Sequence, residues 1–152
     1  MLDTTTRLTV RWMIIRDVPE AMLADGAGHP APWCEEEFRA HLRQRNCIGM
    51  VAEDWQESVQ GFMMYTLHKR TTRLLRLAVR PEYQRAGVGS ALLRKLCSKL
   101  CSWRRGSVTI EVDGHNLTAA LFLRANGFRC VSLTQRDGQD VYLFRYLAGG
   151  MS

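Results

Sequence analysis

The chain has 152 residues, 46% of them hydrophobic and 24% charged, with a formal net charge of +6. That length suits one hydrophobic core, the composition is that of an ordinary globular protein, and no apolar run approaches the roughly 18 residues of a membrane-spanning helix. The basic balance leaves nucleic acid, ribosomal surfaces and polyphosphate cofactors open as anionic partners, but no basic run is interleaved with aromatics, which argues against a single-strand nucleic-acid binder.

Leu8–Met13 reads as a first strand. Asp17-Val18-Pro19-Glu20 reads as a helix start, with Asp17 as the cap, Glu20 at the capping-box position and Pro19 in the first turn. Gly26–Pro32 is a loop. Cys34–Arg45 is predicted helical: Glu35, Glu36 and Glu37 suit the dipole of its first turn, and Phe38 and Leu42 face inward. Gly49–Ala52 and Val59–Leu67 are strand-like, and the polar Glu53–Ser58 between them suggests a hairpin. Leu74–Val79 is a third apolar run, ended by Pro81.

Ser90–Trp103 shows the clearest helical periodicity. Leu92, Leu93, Leu96, Cys97, Leu100 and Cys101 share one side, and Gly106 ends the segment. Val108–Val112 follows as a strand. Asn116 caps a helix running to about Asn126, closed by Gly127. Phe128–Leu133 and Val141–Leu147 then flank the turn Asp137-Gly138. The order is that of a mixed α/β domain on a central sheet, expected to be one domain over residues 1–152 with its core at about 7–147.

Met1-Leu2-Asp3-Thr4 has no basic region followed by an apolar run, so no secretory signal is expected. The cysteines number five and form no Cys-x-x-Cys, so neither a zinc site nor a redox site is signalled. They are expected as buried or half-buried free thiols, with Cys97 and Cys101 on one helix face, in a reducing cytoplasm.

The most informative segment is Leu77-Ala78-Val79-Arg80-Pro81-Glu82-Tyr83-Gln84-Arg85-Ala86-Gly87-Val88-Gly89-Ser90. A strand runs into a short loop that opens a strong helix. Gly87 and Gly89 let the backbone turn tightly and approach a ligand. The first N–H groups of a helix lack internal partners, so its N-terminus suits a pyrophosphate, and Arg85 adds charge. Gly-x-Gly before a helix also occurs as a plain turn. The dinucleotide fingerprint is absent, because Gly89 is followed by Ser90-Ala91-Leu92, and no Gly-Lys-Ser/Thr phosphate loop occurs.

Gln84-x-x-Gly87-x-Gly89 after Arg80-Pro81-Glu82-Tyr83 resembles the coenzyme A signature of the GNAT N-acetyltransferases. The resemblance spans most of the chain and is nearest to the ribosomal-protein-alanine (RimI-like) branch. Pro32-Trp33-Cys34-Glu35-Glu36-Glu37-Phe38 resembles that branch's Pro-Trp-(Ser/Thr)-Glu-x-x-Phe. Its second half is similar to Ile110-Glu111-Val112, then Asn116, Ala119, Ala120 and Asn126-Gly127-Phe128, and its final hairpin to Asp137-Gly138-x-Asp140.

The resemblance implies a mixed, mostly antiparallel sheet with splayed parallel strands in the middle and about four flanking helices. It implies acetyl-coenzyme A as co-substrate, with no metal, and an amine acceptor: a protein N-terminus or a small amine. Leu77, Ala78 and Val79 would offer backbone groups to the pantetheine arm. Arg85, Ala86, Gly87, Val88, Gly89 and Ser90 would hold the pyrophosphate, preceded by Gln84 of the signature. Asn116 would contact the arm, cap the helix, or do both. N–H donors near Val79 would stabilise the oxyanion.

Glu111 is the candidate base. A carboxylate in an apolar strand is costly without a partner or a task, and burial would raise its pKa toward the working pH. An outward-facing glutamate on an alternating strand is the plainer alternative. The branch's tyrosine acid, in the helix after the asparagine, aligns with Leu123, beside Phe122; neither donates a proton. Tyr142 on the last strand, water, or an unassisted thiolate leaving group would replace it, while His115 reads as a solvated loop residue. Cys34 is a second departure, being a poor cap. A small-amine or antibiotic acetyltransferase and a non-catalytic acyl-coenzyme A sensor stay open, as do monomer and homodimer.

Overall fold

The computed structural model describes residues 8–150. Its elements follow the predicted order: β1 (Thr9–Trp12), α1 (Val18–Gly28), α2 (Glu35–Leu42), β2 (Cys47–Glu53), β3 (Val59–Leu67), β4 (Thr71–Val79), α3 (Val88–Cys97), β5 (Ser107–Asp113), α4 (Leu117–Ala125), β6 (Arg129–Arg136) and β7 (Gln139–Leu147). The strands form one sheet in the order β1-β2-β3-β4-β5-β7-β6. Neighbours are antiparallel except β4 and β5, which run parallel. This is the GNAT architecture that the resemblance implies.

Each face of the sheet carries its own apolar cluster. On one, Leu92, Leu93 and Leu96 of α3 and Leu123 of α4 pack against Met50, Met63, Tyr65, Leu74, Val108 and Phe144. Full burial of such side chains contributes about 1.5–3 kcal/mol each. On the other, Val18, Ala21 and Ala24 of α1 and Phe38 of α2 pack on Val51, Phe62 and Met64. α1 lies over β3 and β4 and α2 over β2. Among the described residues the same face of β5, β7 and β6 has no such cover, and Arg129, Arg136 and Arg145 project there exposed.

Local departures from the sequence expectation have physical causes. α3 starts two residues before Ser90 and ends at Cys97 rather than Trp103. The Ser98 hydroxyl donates to the Lys95 carbonyl at 2.7 Å, and the N–H groups of Lys99 and Leu100 tighten onto Leu96 and Cys97. Such local bonds compete with helix continuation. Cys101 therefore lies beyond the helix and is exposed, as are Cys34 and Cys130; of the five thiols, Cys47 is buried and Cys97 half-buried. Burial pushes both of the latter up to about 11.

Asp17 stands at the N-cap of α1, but its side chain makes no capping hydrogen bond. Its carboxylate accepts two hydrogen bonds from Arg11 at 2.9 Å and one from the Ile14 N–H at 2.8 Å. Glu20 accepts from the Val59 N–H at 3.2 Å instead of closing a capping box. Pro19 does fall in the first turn, and Cys34 caps α2 without a side-chain hydrogen bond.

Two irregularities shape the middle of the sheet. The parallel ladder between β4 and β5 covers only Thr71↔Ser107, Thr72↔Val108 and Arg73↔Thr109. Past that point β5 stays paired with β7 as far as Asp113↔Val141, and β4 stays paired with β3. The two strands part like the arms of a V. At the same place β4 carries a bulge: Leu74 pairs with Tyr65 and Arg76 with Met64, so Leu75 has no partner. A bulge bends its strand and increases its twist, which turns β4 away from β5.

Candidate active site

Beyond Arg73, the edge of β4 that faces β5 has no strand partner among the described residues, so Leu77, Ala78 and Val79 present backbone groups to the gap. Such an edge accepts an extended, amide-bearing chain as a further strand would be accepted. The chain then passes through a 3₁₀ turn at Pro81–Tyr83 to Gln84, whose amide donates to the Val79 carbonyl at 3.2 Å. Two residues of the following loop take left-handed backbone, Arg85 at φ 65° and Gly87 at φ 83°. Gly87 caps α3, where a side chain would be strained although nothing crowds it.

The first helical hydrogen bond of α3 is donated by Ala91 to the Gly87 carbonyl. The N–H groups of Val88, Gly89 and Ser90 thus have no acceptor within the helix. Arg85 and Gly87 are exposed, Ala86 and Ser90 half-buried. The geometry is that of an anion cradle at a positive helix end. Gly89 has a different reason for being glycine: a Cβ there would lie 2.9 Å from the ring of Phe122 on α4. Gly61, which the sequence reading did not single out, fills a similar role on β3, where a Cβ would sit 2.9 Å from the Ala78 carbonyl oxygen.

Glu111 lies just past the last parallel pair, on the side of the sheet that α1 and α2 cover at β2, β3 and β4 but not at β5. Arg136 donates to both of its oxygens at 3.1 and 3.0 Å, and Arg73 to one at 3.2 Å. The hydrogen bonds from Arg136, aided by the charge of Arg73, outweigh partial burial, so its pKa is lowered rather than raised as the sequence suggested. Tyr142 stands opposite Val112 on β7, half-buried against the α3-side core. Asn116 caps α4, its side-chain oxygen accepting from the Ala119 N–H at 3.1 Å. Leu123, at the position of the branch's tyrosine, is 3% exposed inside the core. His115 is exposed.

One buried charge cluster was not anticipated. Arg76 sits on β4 directly after the bulge, with Nε 3.4 Å from a carboxylate oxygen of Asp25 on α1. That distance is an ion-pair contact without hydrogen-bond geometry, and both atoms lack a hydrogen-bond partner among the described residues. The rest of the guanidinium bonds to His29 and the Ala31 carbonyl and lies 4.6 Å above the Trp33 ring. Asp25 in turn accepts from the Trp33 N–H at 2.7 Å. The loop from α1 to α2 is thereby fastened beside the V. Burial, then the charge of Arg76, pushes the His29 pKa down. The signal in the sequence was an arginine inside the apolar run Leu74-Leu75-Arg76-Leu77.

A V between two parallel strands, an unpaired strand edge and an anion cradle at one end define an acyl-transfer domain of the coenzyme A-dependent type. The family model described as an acetyltransferase (GNAT) domain matches residues 45–130, and the chain belongs to that family. It is accordingly an N-acetyltransferase, an acyltransferase acting on an amine. The chain is 27% identical over 120 residues to the ribosomal protein bS18-alanine N-acetyltransferase of Escherichia coli, covering 79% of this chain and 80% of the relative. The crystal structure of the Escherichia coli ribosomal-protein-S18-alanine N-acetyltransferase superposes with a TM-score of 0.80 at 22% identity, over 95% and 96% of the two chains. Ard1 from Thermoplasma volcanium gives 0.81 at 24%, covering 93% and 98%. A spermidine N-acetyltransferase from Vibrio cholerae gives 0.78 at 17%, covering 94% and 95%. These structural likenesses show the fold. Among the described residues no helix is long and apolar enough to cross a membrane.

Proposed function

We propose that the protein, acting as one domain over residues 1–152 in the cytoplasm, transfers the acetyl group of acetyl-coenzyme A directly to a protein N-terminal amine. The observation that carries this is the continuity of the unpaired β4 edge with the N-terminus of α3. An arm with successive amides fits the first and a pyrophosphate fits the second. Bound there, the coenzyme supplies an activated thioester.

The chain's own groups divide the remaining work. Leu77, Ala78 and Val79 hold the arm, and N–H groups near Val79 favour charge on the carbonyl oxygen. Gln84 fixes the loop, and the backbone of Arg85, Ala86, Gly87, Val88, Gly89 and Ser90 binds the pyrophosphate. The amide N–H groups of Asn116 reach the arm while its oxygen caps α4. Glu111, kept ionised by Arg136 and Arg73, receives the amine's proton directly or through water. Tyr142 returns a proton to the departing thiolate.

A second reading, an acyl-coenzyme A sensor, is favoured by one observation: Leu123 buries carbon where the related branch keeps a hydroxyl. Release of free coenzyme A thiol, measured over a panel of peptides and small amines, separates the two. Acceptor-dependent release establishes the enzyme. Binding of acetyl-coenzyme A without release for any amine would sink the proposal in favour of the sensor.

A further inference from the structure

The open face beside the V is strongly cationic. In the ladders Arg73 of β4 stands beside Thr109 of β5, Thr109 opposite Arg145 of β7, and Arg145 opposite Arg129 of β6. Paired residues project to the same side, so three arginines and one threonine form a row across four strands. The bonds from Arg73 and Arg136 to Glu111 fix which side that is. The strand residues on this side of β4, β5, β7 and β6 include only two carboxylates. Glu111 is tied to two arginines, and Asp113 accepts the His115 N–H at 3.0 Å. Arg145 is exposed and makes no ion pair among the described residues.

We infer that the acceptor is an acidic peptide: its N-terminal amine enters the V beside Glu111, and aspartate or glutamate side chains early in its sequence lie on Arg73, Arg145 and Arg136. The inference rests on the acetyl-transfer reading above. Arg145 is one strand over and two residues back from Glu111, roughly 8 Å from strand spacing and rise, the span of two to three extended residues. Arginine forks suit carboxylates at such positions. A polyamine meets repulsion on the same surface. Phosphates would also match arginines, but this face of β5, β7 and β6 has no aromatic side chain on which bases could stack. Seating a substrate carboxylate on Arg73 and Arg136 also loosens their hold on Glu111, so the base strengthens as the acceptor arrives.

The test uses the full chain saturated with acetyl-coenzyme A. The probes are short peptides that share an N-terminal alanine and differ only in carrying Glu, Gln or Lys at the next two positions, with spermidine as a further acceptor. The Glu peptide is expected to exceed the Gln peptide in kcat/KM on the order of tenfold or more, mainly through KM, as for hydrogen bonds to charged groups. Arg145→Gln should erase most of that preference, and Arg145→Glu should turn it toward the Lys peptide. Equal kcat/KM for the three peptides, a preference for spermidine, or a preference untouched by Arg145→Gln overturns the inference while leaving acetyl transfer standing. If nothing is turned over, anisotropy of the Glu peptide labelled at its C-terminus still decides. Binding lost in Arg145→Gln supports the acidic-ligand surface although the enzyme reading fails, and no binding overturns it. Displacement of that peptide by a short single-stranded RNA, dependent on Arg145, overturns it in favour of nucleic acid.

Discussion

Glu111 and Tyr142 lie on neighbouring strands yet point to opposite faces of the sheet. Tyr142 faces the α3-side core across from Val112, while Glu111 reaches Arg73 and Arg136 on the uncovered side. In the proposed roles, Glu111 would take the amine's proton on one side of the V and Tyr142 would supply another to the thiolate on the other. Glu111→Gln is expected to lower turnover by about 10²- to 10⁴-fold with cofactor binding retained. Because its pKa is lowered, its acid limb in kcat/KM lies below the ordinary carboxylate value of about 4.3, and Arg136→Gln should move that limb upward. Tyr142→Phe should remove the alkaline limb. A silent Tyr142→Phe in an active enzyme would discard that residue as the acid.

The cradle at α3 makes a stability prediction. Acetyl-coenzyme A at 100 times its dissociation constant should stabilise the fold by about 2.7 kcal/mol. Gly87→Glu strains a backbone held at φ 83° and sets a negative charge at the cradle. It should abolish the cofactor-induced rise in Tm; a rise of the wild-type size would contradict the assignment.

Installing the missing hydroxyl should not restore an acid. Leu123 is 3% exposed and surrounded by core, so Leu123→Tyr overpacks it at a cost of about 1–3 kcal/mol. Turnover in the Tyr142→Phe background should stay low and Tm should fall. Recovery of the alkaline limb in the double variant would show that the helix can present a hydroxyl to the thioester after all.

Asp17 gives the fold an acid sensitivity. Burial raises its pKa, but the hydrogen bonds from Arg11 and the Ile14 N–H outweigh this and the net shift is downward. Its contribution is therefore complete above the unfolded value of about 3.9 and is lost as pH falls through the lowered folded value. Arg11→Met should cost about 1–3 kcal/mol at neutral pH and flatten the acid loss of stability. Urea midpoints measured on either side of pH 4 check this; identical slopes in both proteins would exclude Asp17 as the source.

The order of elements was legible because apolar periodicity and turn residues agree along the chain; Asp137 and Gly138, both at positive φ, form the two-residue hairpin their types suggest. The helix through Trp103 failed because periodicity in Leu100 and Cys101 says nothing of the Ser98 hydroxyl bonding backward. Asp17 takes the N-cap position without a capping bond because its carboxylate is drawn to Arg11 on the preceding strand. Glu111 was legible as a candidate but its charge state was not. The arginines that set it stand 38 and 25 residues away in sequence and meet it only through strand register. The same holds for the arginine row.

The bulge at Leu75 gives β4 an unusual tolerance. Thr72 and Leu74 face the α3 side before it and Leu77 and Val79 after it, so two successive residues, Leu75 and Arg76, share the other side. Strand alternation has a period of two. Removing Leu75 would therefore leave every remaining side chain facing as it does now. What would vanish is the bend that parts β4 from β5. A chain shortened by that one residue is expected to fold, with a modest loss from the missing leucine, and to pair β4 and β5 further along, closing the opening proposed above for the thioester and the amine.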